Sequence, residues 1–264
     1  MRTGRGPLGV FGWALTAGFA VIAAAGSASA DDILVFQRTT NDPNGADTAG
    51  AGLEAALDAA GHNATLMSGL AVTVPADLSA YDSVFVLQLP GLTPSEQFAL
   101  RNYVEQGGGL LVTGERPCCE SLNSTVQQLV SSLAKVPPVI GQQGDLGDVF
   151  TAIPSAPSGL SSSPNALTQV LLGAAGGIGN VAPKHRWLSN TSSQIAAAAY
   201  PGEDIKKGSG CFIALMDLTT WTDGVHPGQD RAAIAGNMAA FLGDCGDTDG
   251  DGVSDEQGLL TGQS

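Results

Sequence analysis

Four short runs constrain this chain more than anything else in it: Ile33-Leu34-Val35-Phe36, Val84-Phe85-Val86-Leu87, Leu110-Leu111-Val112 and Cys211-Phe212-Ile213-Ala214-Leu215-Met216. Each is apolar at every position, not at every second one. Each is also too short for a buried helix, so a strand is the better reading. A strand with no polar side must be covered on both faces, which is the condition of a parallel sheet between two helical layers. The intervening segments supply those layers. Leu53, Ala56, Leu57 and Ala60 recur at helical spacing, and Gly61 stops that helix. Thr93-Pro94-Ser95-Glu96 is a capping box with proline in the first turn, followed by Phe98, Leu100, Tyr103 and Val104 on a helix ended by Gly107-Gly108-Gly109. Val126, Leu129, Val130 and Leu133 mark a third helix, and Ala232, Ala233, Met238, Ala239, Phe241 and Leu242 a last one. Ala64 to Met67 and Ile195 to Tyr200 read as further strands, the latter joined to Cys211 by a polar turn over 201–210. Residues 137–164 are rich in Pro, Gly and Ser and read as an irregular insertion over the sheet. The alternation predicts an α/β fold in three layers: a mainly parallel sheet with helices on both faces, formed by residues 31–244.

The ends of the chain carry different signals. Arg2 and Arg5 precede an apolar stretch from Leu8 to Ala25, and Ala28-Ser29-Ala30 then offers a signal-peptidase site before Asp31. Residues 1–30 therefore read as a removable signal peptide. The expected location is secreted or periplasmic, in the cell envelope, with no membrane span in the mature form. In that oxidising space disulfides persist. The net charge of −14 argues against nucleic acid as a partner, because such affinity comes from lysines and arginines neutralising phosphates. It argues equally against anionic membranes. The expected partner is an extracellular or envelope ligand of unknown identity. Sequons at Asn63, Asn123 and Asn190 matter only in a eukaryotic secretory route.

Two segments carry a family likeness. One runs Tyr103-Val104-Glu105-Gln106-Gly107-Gly108-Gly109-Leu110-Leu111-Val112-Thr113-Gly114; the other is Gly210 to Asp217 followed by Asn237-Met238-Ala239-Ala240-Phe241-Leu242. They resemble the flavodoxin-like fold of class I glutamine amidotransferase-like domains, in the non-catalytic branch, where an Asp ends the closing strand. Catalytic members of that superfamily place a Cys in a glycine-flanked elbow directly after the fourth strand and pair it with a His and a Glu. Here that position reads Gly114-Glu115-Arg116-Pro117-Cys118-Cys119-Glu120, with the thiols several residues late and no flanking glycines. The resemblance therefore implies a binding or scaffold protein. The alternative is a cysteine-dependent hydrolase or thiol-redox enzyme, with Cys118 or Cys119 as nucleophile, His226 as base and Asp217 or Asp223 as orienter. No flavin or nucleotide is expected, because the loop from Gln37 to Gly45 lacks a hydroxyl-rich phosphate cradle.

Ligands of open parallel sheets bind beyond the carboxyl ends of the strands. Arg38, Asn41, Asp42, Glu115, Arg116, Trp221 and Asp223 fall there. The same topology sorts the cysteines. Cys118 and Cys119 follow strand four, whereas Cys211 opens a strand and Cys245 ends a helix running back, so a Cys211–Cys245 disulfide is expected on the opposite edge. The adjacent pair is left as a strained disulfide, a free dithiol or a soft metal site. If free, one thiolate near Arg116 and the next helix N-terminus should have a lowered pKa. Finally, residues 245–264 form an acidic tail containing Asp247-Thr248-Asp249-Gly250-Asp251-Gly252-Val253-Ser254-Asp255. Asp247, Asp249, Asp251 and Asp255, with the Val253 carbonyl, have the spacing of a calcium loop, and Gly252 permits its turn. The motif resembles an EF-hand-type loop and, more closely, a thrombospondin type 3 repeat. Gly258 stands where a bidentate Glu would close the loop, which implies calcium affinity as weak as about 10⁻⁴–10⁻³ M.

Overall fold

The computed structural model describes residues 30–39, 46–87, 91–222 and 224–245. In chain order the elements are β1 (Asp32–Arg38), α1 (Ala49–Ala59), β2 (Asn63–Gly69), β3 (Ser83–Leu87), α2 (Pro94–Glu105), β4 (Gly109–Gly114), α3 (Glu120–Leu133), β5 (Val139–Gln143), β6 (Val149–Ala152), β7 (Gln169–Leu171), β8 (Gly177–Gly179), β9 (Arg186–Ser189), β10 (Ile195–Tyr200), β11 (Cys211–Met216) and α4 (Arg231–Gly243). The fold is a flavodoxin-like α/β sandwich. Its sheet runs β2-β1-β3-β4-β11-β10-β9-β6-β7, and β8 joins β5 to β10 beside that path.

The sheet has two halves. From β2 to β11 every pairing is parallel. From β11 outward every pairing is antiparallel. The expectation of a mainly parallel sheet thus holds for the half built from the apolar runs, while the rest makes it mixed. Residues 137–164 are not wholly irregular either: they supply β5 and β6, and β6 adds to the sheet edge. Phe150, in β6, is fully buried and belongs to the same core as Ile33 and Phe85. Only every second residue of β6 is buried, so its strand character is set by its partners more than by its composition.

Alternation divides the core into two layers. Ile33, Val35, Phe85, Leu87, Leu111, Ile213 and Leu215 face α1 and α4. Leu34, Phe36, Val84, Val86, Leu110, Val112, Phe212 and Ala214 face α2 and α3. The capping box forms as read: the Thr93 side chain accepts from Glu96 N, and the Glu96 carboxylate accepts from Thr93 N. The Cys211–Cys245 disulfide is present, with Cα atoms 5.5 Å apart, and ties the start of β11 to the end of α4. Its closure of 34 residues is worth roughly 3–4 kcal/mol on the chain-entropy account.

Candidate functional site

The carboxyl edge of the parallel half is built mostly of groups already committed to the fold. Arg38 leaves the end of β1 and donates through Nε to Val72 O at 3.1 Å and through its guanidinium to Gly91 O and to the Glu96 carboxylate. Glu96 is only 4% exposed and also accepts from Val74 N and from the amide and hydroxyl of Thr93. Burial pushes the Glu96 carboxyl up, but these hydrogen bonds and the Arg38 charge outweigh it and hold the group below the usual carboxylate range. Arg38 was expected to meet a ligand; it instead straps the 72–74 segment to the N-terminus of α2. Trp221 was placed on the same edge, and it is fully buried in the core. Its carbonyl sits where only a glycine leaves room: a Cβ on Gly52 of α1 would lie 1.9 Å from it. Asn41, Asp42 and Asp223 lie outside the described residues.

Asp217 directly follows β11, and its side chain is buried. It accepts from Thr219 N at 2.6 Å and Thr219 Oγ1 at 2.8 Å, and it is fully buried. Burial raises its pKa to about 6, against hydrogen bonds from Thr219, Gly173 and Leu218 that pull the other way. His226 is held low by burial; the charges acting on it are Asp148, which raises it, and Arg231, which lowers it. The groups acting on Cys119 are Cys118, Glu115 and Arg116. Among the described residues, no hydrogen bond joins His226 to Asp217, Cys118 or Cys119. The structure therefore brings the two cysteines together and leaves the proposed base and orienter in separate surroundings.

The segment after β4 is shaped by Asn123 of α3. Its side chain accepts from Glu115 N and donates to Glu115 O, both at 2.8 Å, and donates to Arg116 O at 3.3 Å. Asn123 is 7% exposed, so its sequon is occupied by structure rather than open to glycan transfer. Pro117–Cys119 then forms a single 3-10 turn. Arg116 lies 3.9 Å from Asp145 and donates to the Cys118 side chain. Both cysteines are free, Cys118 exposed and Cys119 half-buried. The expectation of a lowered thiol fails for Cys119: burial, then the hydrogen bond and charge of Cys118, push it up to about 12.

A concave site lies on the opposite edge, where the sequence reading placed only the disulfide. A cavity of about 640 Å³ is lined by Lys135, Lys206, Lys207, Glu203, Asp244 and the Cys211–Cys245 bridge, among others. The chain has four lysines, and three of them line this cavity. The fourth, Lys184, pairs with Asp204 in the adjoining turn at 2.5 Å. Lys135 donates to Glu203 O and Lys206 to Ser131 O, so two of the ammonium groups meet neutral carbonyls. The turn owes its shape to Gly208, at φ +79°, where a Cβ would stand 1.8 Å from Glu105 O. Lys206-Lys207 was visible in the turn, but Lys135 lies far away in sequence. Only the packing of α3's end against residues 201–209 unites them.

Among the described residues no three His, Cys, Asp or Glu side chains converge as metal ligands. Asp247, Asp249, Asp251, Val253 and Asp255, expected to form a calcium loop, lie outside the described residues, as do residues 1–29, expected to be a signal peptide. Among the described residues no helix is long and apolar enough to cross a membrane.

No protein-family model matches the chain. No curated protein sequence matches it. Among solved structures, the fold is similar to one described as the mmIFT52 N-terminal domain, with a TM-score of 0.57 at 14% identity, covering 80% of this chain and 97% of that one. It is also similar to a putative ThuA-like protein from Parabacteroides merdae, with a TM-score of 0.51 at 10% identity, covering 81% of this chain and 90% of that one. At such identities the likeness is one of fold.

Proposed function

We propose that this chain is an exported binding module with a non-catalytic amidotransferase-like domain, which holds an anionic group in the lysine cavity and carries a calcium-binding tail. The cavity carries the reading. In a chain of net charge −14, three of four lysines stand around one concavity. Against Glu203 and Asp244 they leave a single surplus positive charge, which suits a carboxylate or a phosphate monoester. The carboxyl edge offers less: Arg38 and Trp221 are engaged in the fold, and among the described residues no histidine acts on Cys119.

The test is thermal unfolding of the full chain titrated with inorganic phosphate and with citrate at low salt. A ligand at about 100 times its Kd adds roughly 2.7 kcal/mol to stability. The reading expects a rise in Tm that is lost when Lys135, Lys206 and Lys207 are changed together to Gln. An equal rise in that variant would overturn it. A chain ending at Gly246 separates two sources of the anion. Stronger phosphate binding after truncation would identify the tail carboxylates as a competitor for the cavity; unchanged binding leaves a free ligand. Calcium alone, titrated into both forms, tests the tail: binding in the range of about 10⁻⁴–10⁻³ M is expected only with residues 247–264 present.

A further inference from the structure

The two free cysteines are arranged for a reaction that needs no neighbouring base. Side chains of consecutive residues point to opposite sides in an extended strand. Here the 3-10 turn, closed by Cys119 N donating to Arg116 O at 3.1 Å, swings them to one side. Their sulfurs lie 2.9 Å apart. A disulfide bond is about 2.05 Å long, so the pair needs to close by roughly 0.9 Å. The turn is held from behind: Pro117 fixes its first φ, and Asn123 clips the backbone on either side of Glu115. The two sulfurs are not equivalent. Cys118 is exposed and receives a hydrogen bond from Arg116, whereas Cys119 is half-buried beneath it.

We propose that Cys118 and Cys119 form a thiol–disulfide exchange site, at which Cys118 attacks a small-molecule disulfide and Cys119 resolves the product. The Cys118 thiolate bonds to one sulfur of R–S–S–R and expels R–S⁻, giving a mixed disulfide. Cys119 then gives its proton to the released thiolate, bonds to the Cys118 sulfur and expels the second R–S⁻, which takes a proton from water. In total the protein loses two hydrogens and R–S–S–R becomes two R–SH.

The order follows from the surroundings. Cys118 is the exposed sulfur and the one beside Arg116, whereas Cys119 is half-buried and its thiol is pushed up, so Cys118 attacks first. Burial is the largest cause of that rise, but the other leading causes are the hydrogen bond and charge of Cys118, and both vanish once Cys118 is in a mixed disulfide. The first step therefore removes part of what holds Cys119 protonated. The resulting bond would join Cα atoms about 3.8 Å apart, closer than the usual disulfide range, which makes it easily reduced. Strained, exposed disulfides are the reversible ones. The other bridge stays out of the exchange, since Cys211 and Cys245 are 2% and 6% exposed on the opposite edge. This inference stands independently of the binding reading above.

The experiment is time-resolved intact-mass and peptide mapping of the full chain treated with oxidised glutathione, then with dithiothreitol. The wild type should pass through a transient glutathione adduct and finish two hydrogens lighter, with a Cys118–Cys119 bond reversed by dithiothreitol. Cys119→Ser should trap the adduct on Cys118. Cys118→Ser should react at least tenfold more slowly, and Arg116→Gln severalfold more slowly. Alkylation rates of the untouched wild type give a check free of variants: Cys118 should be modified first. A lasting adduct on wild-type Cys118, first modification at Cys119, or pairing of either residue with Cys211 or Cys245 would each overturn the proposal.

Discussion

The parallel half of the sheet and its antiparallel extension share one core but are written in different languages. In the parallel half, β3, β4 and β11 are buried at every residue, and β1 over its five central positions. Helices α1 and α4 cover one face and α2 and α3 the other. In the extension, β7 and β8 have three residues each, β6 buries only alternate positions, and β10 meets β9 through register shifts. Ala174, Asn180 and Ser193 adopt positive φ between these strands. The first half is held by elements that carry their own burial pattern. The second is held by its attachment to β11 and by a few large side chains such as Phe150 and Trp187. Burial is nonetheless continuous across the junction, which makes the difference one of legibility rather than of stability.

The most direct way to break that comparison is a pair of cavities. Phe85→Ala in the parallel half and Phe150→Ala in the extension should each cost about 3–5 kcal/mol. Both should unfold in one urea transition with an unchanged m-value. Two transitions in the second variant would mean that the extension melts alone. Next comes the bridge across the amino-terminal edge: Cys211→Ser with Cys245→Ser should cost roughly 3–4 kcal/mol, read as a lowered Tm.

Two buried carboxylates then sharpen the contrast within the carboxyl edge, because their pH dependences have opposite sign. Glu96 is depressed in the folded state, so its contribution is present above the unfolded value of about 4.3 and is lost as pH falls through the folded value. Glu96→Gln should remove that acid-side loss and, by taking away the carboxylate that Arg38 meets, cost about 3 kcal/mol at neutral pH. Asp217 is raised to about 6. The folded state then binds more protons than the unfolded one, whose carboxyl titrates near 3.9, and stability falls as pH rises between about 4 and 6. That fall should amount to roughly 2–3 kcal/mol and should flatten in Asp217→Asn, measured by denaturation across pH 3–8. The smallest effect belongs to the lysine cavity. Changing Lys135, Lys206 and Lys207 singly to Gln should move stability by no more than about 0.5 kcal/mol, since all three are exposed. A larger loss would make those residues structural caps on the end of α3 instead of ligand groups.

The candidate site was less legible than the fold. Arg38 looked available because it follows a strand in a polar loop; its partner Glu96 lies on a different element and was already accounted for as a helix cap. One carboxylate does both jobs, and no local pattern announces the second. Trp221 sits in a segment of turn composition, yet the close approach of Gly52 draws it into the core. The Cys211–Cys245 pairing could be reasoned from strand direction alone, because parallel topology sends the start of β11 and the end of α4 to the same edge.

Residue order is enough to define the parallel strands, the capped second helix and the disulfide. Each rests on short-range periodicity or on a direction rule that any parallel sheet obeys. The antiparallel extension, the Arg38–Glu96 strap, the lysine cavity and the unequal cysteine pair were decided by tertiary structure. All four depend on which distant segments touch, and the desolvation, charge pairing and room for a Cβ that rank those contacts exist only once the chain has closed on itself.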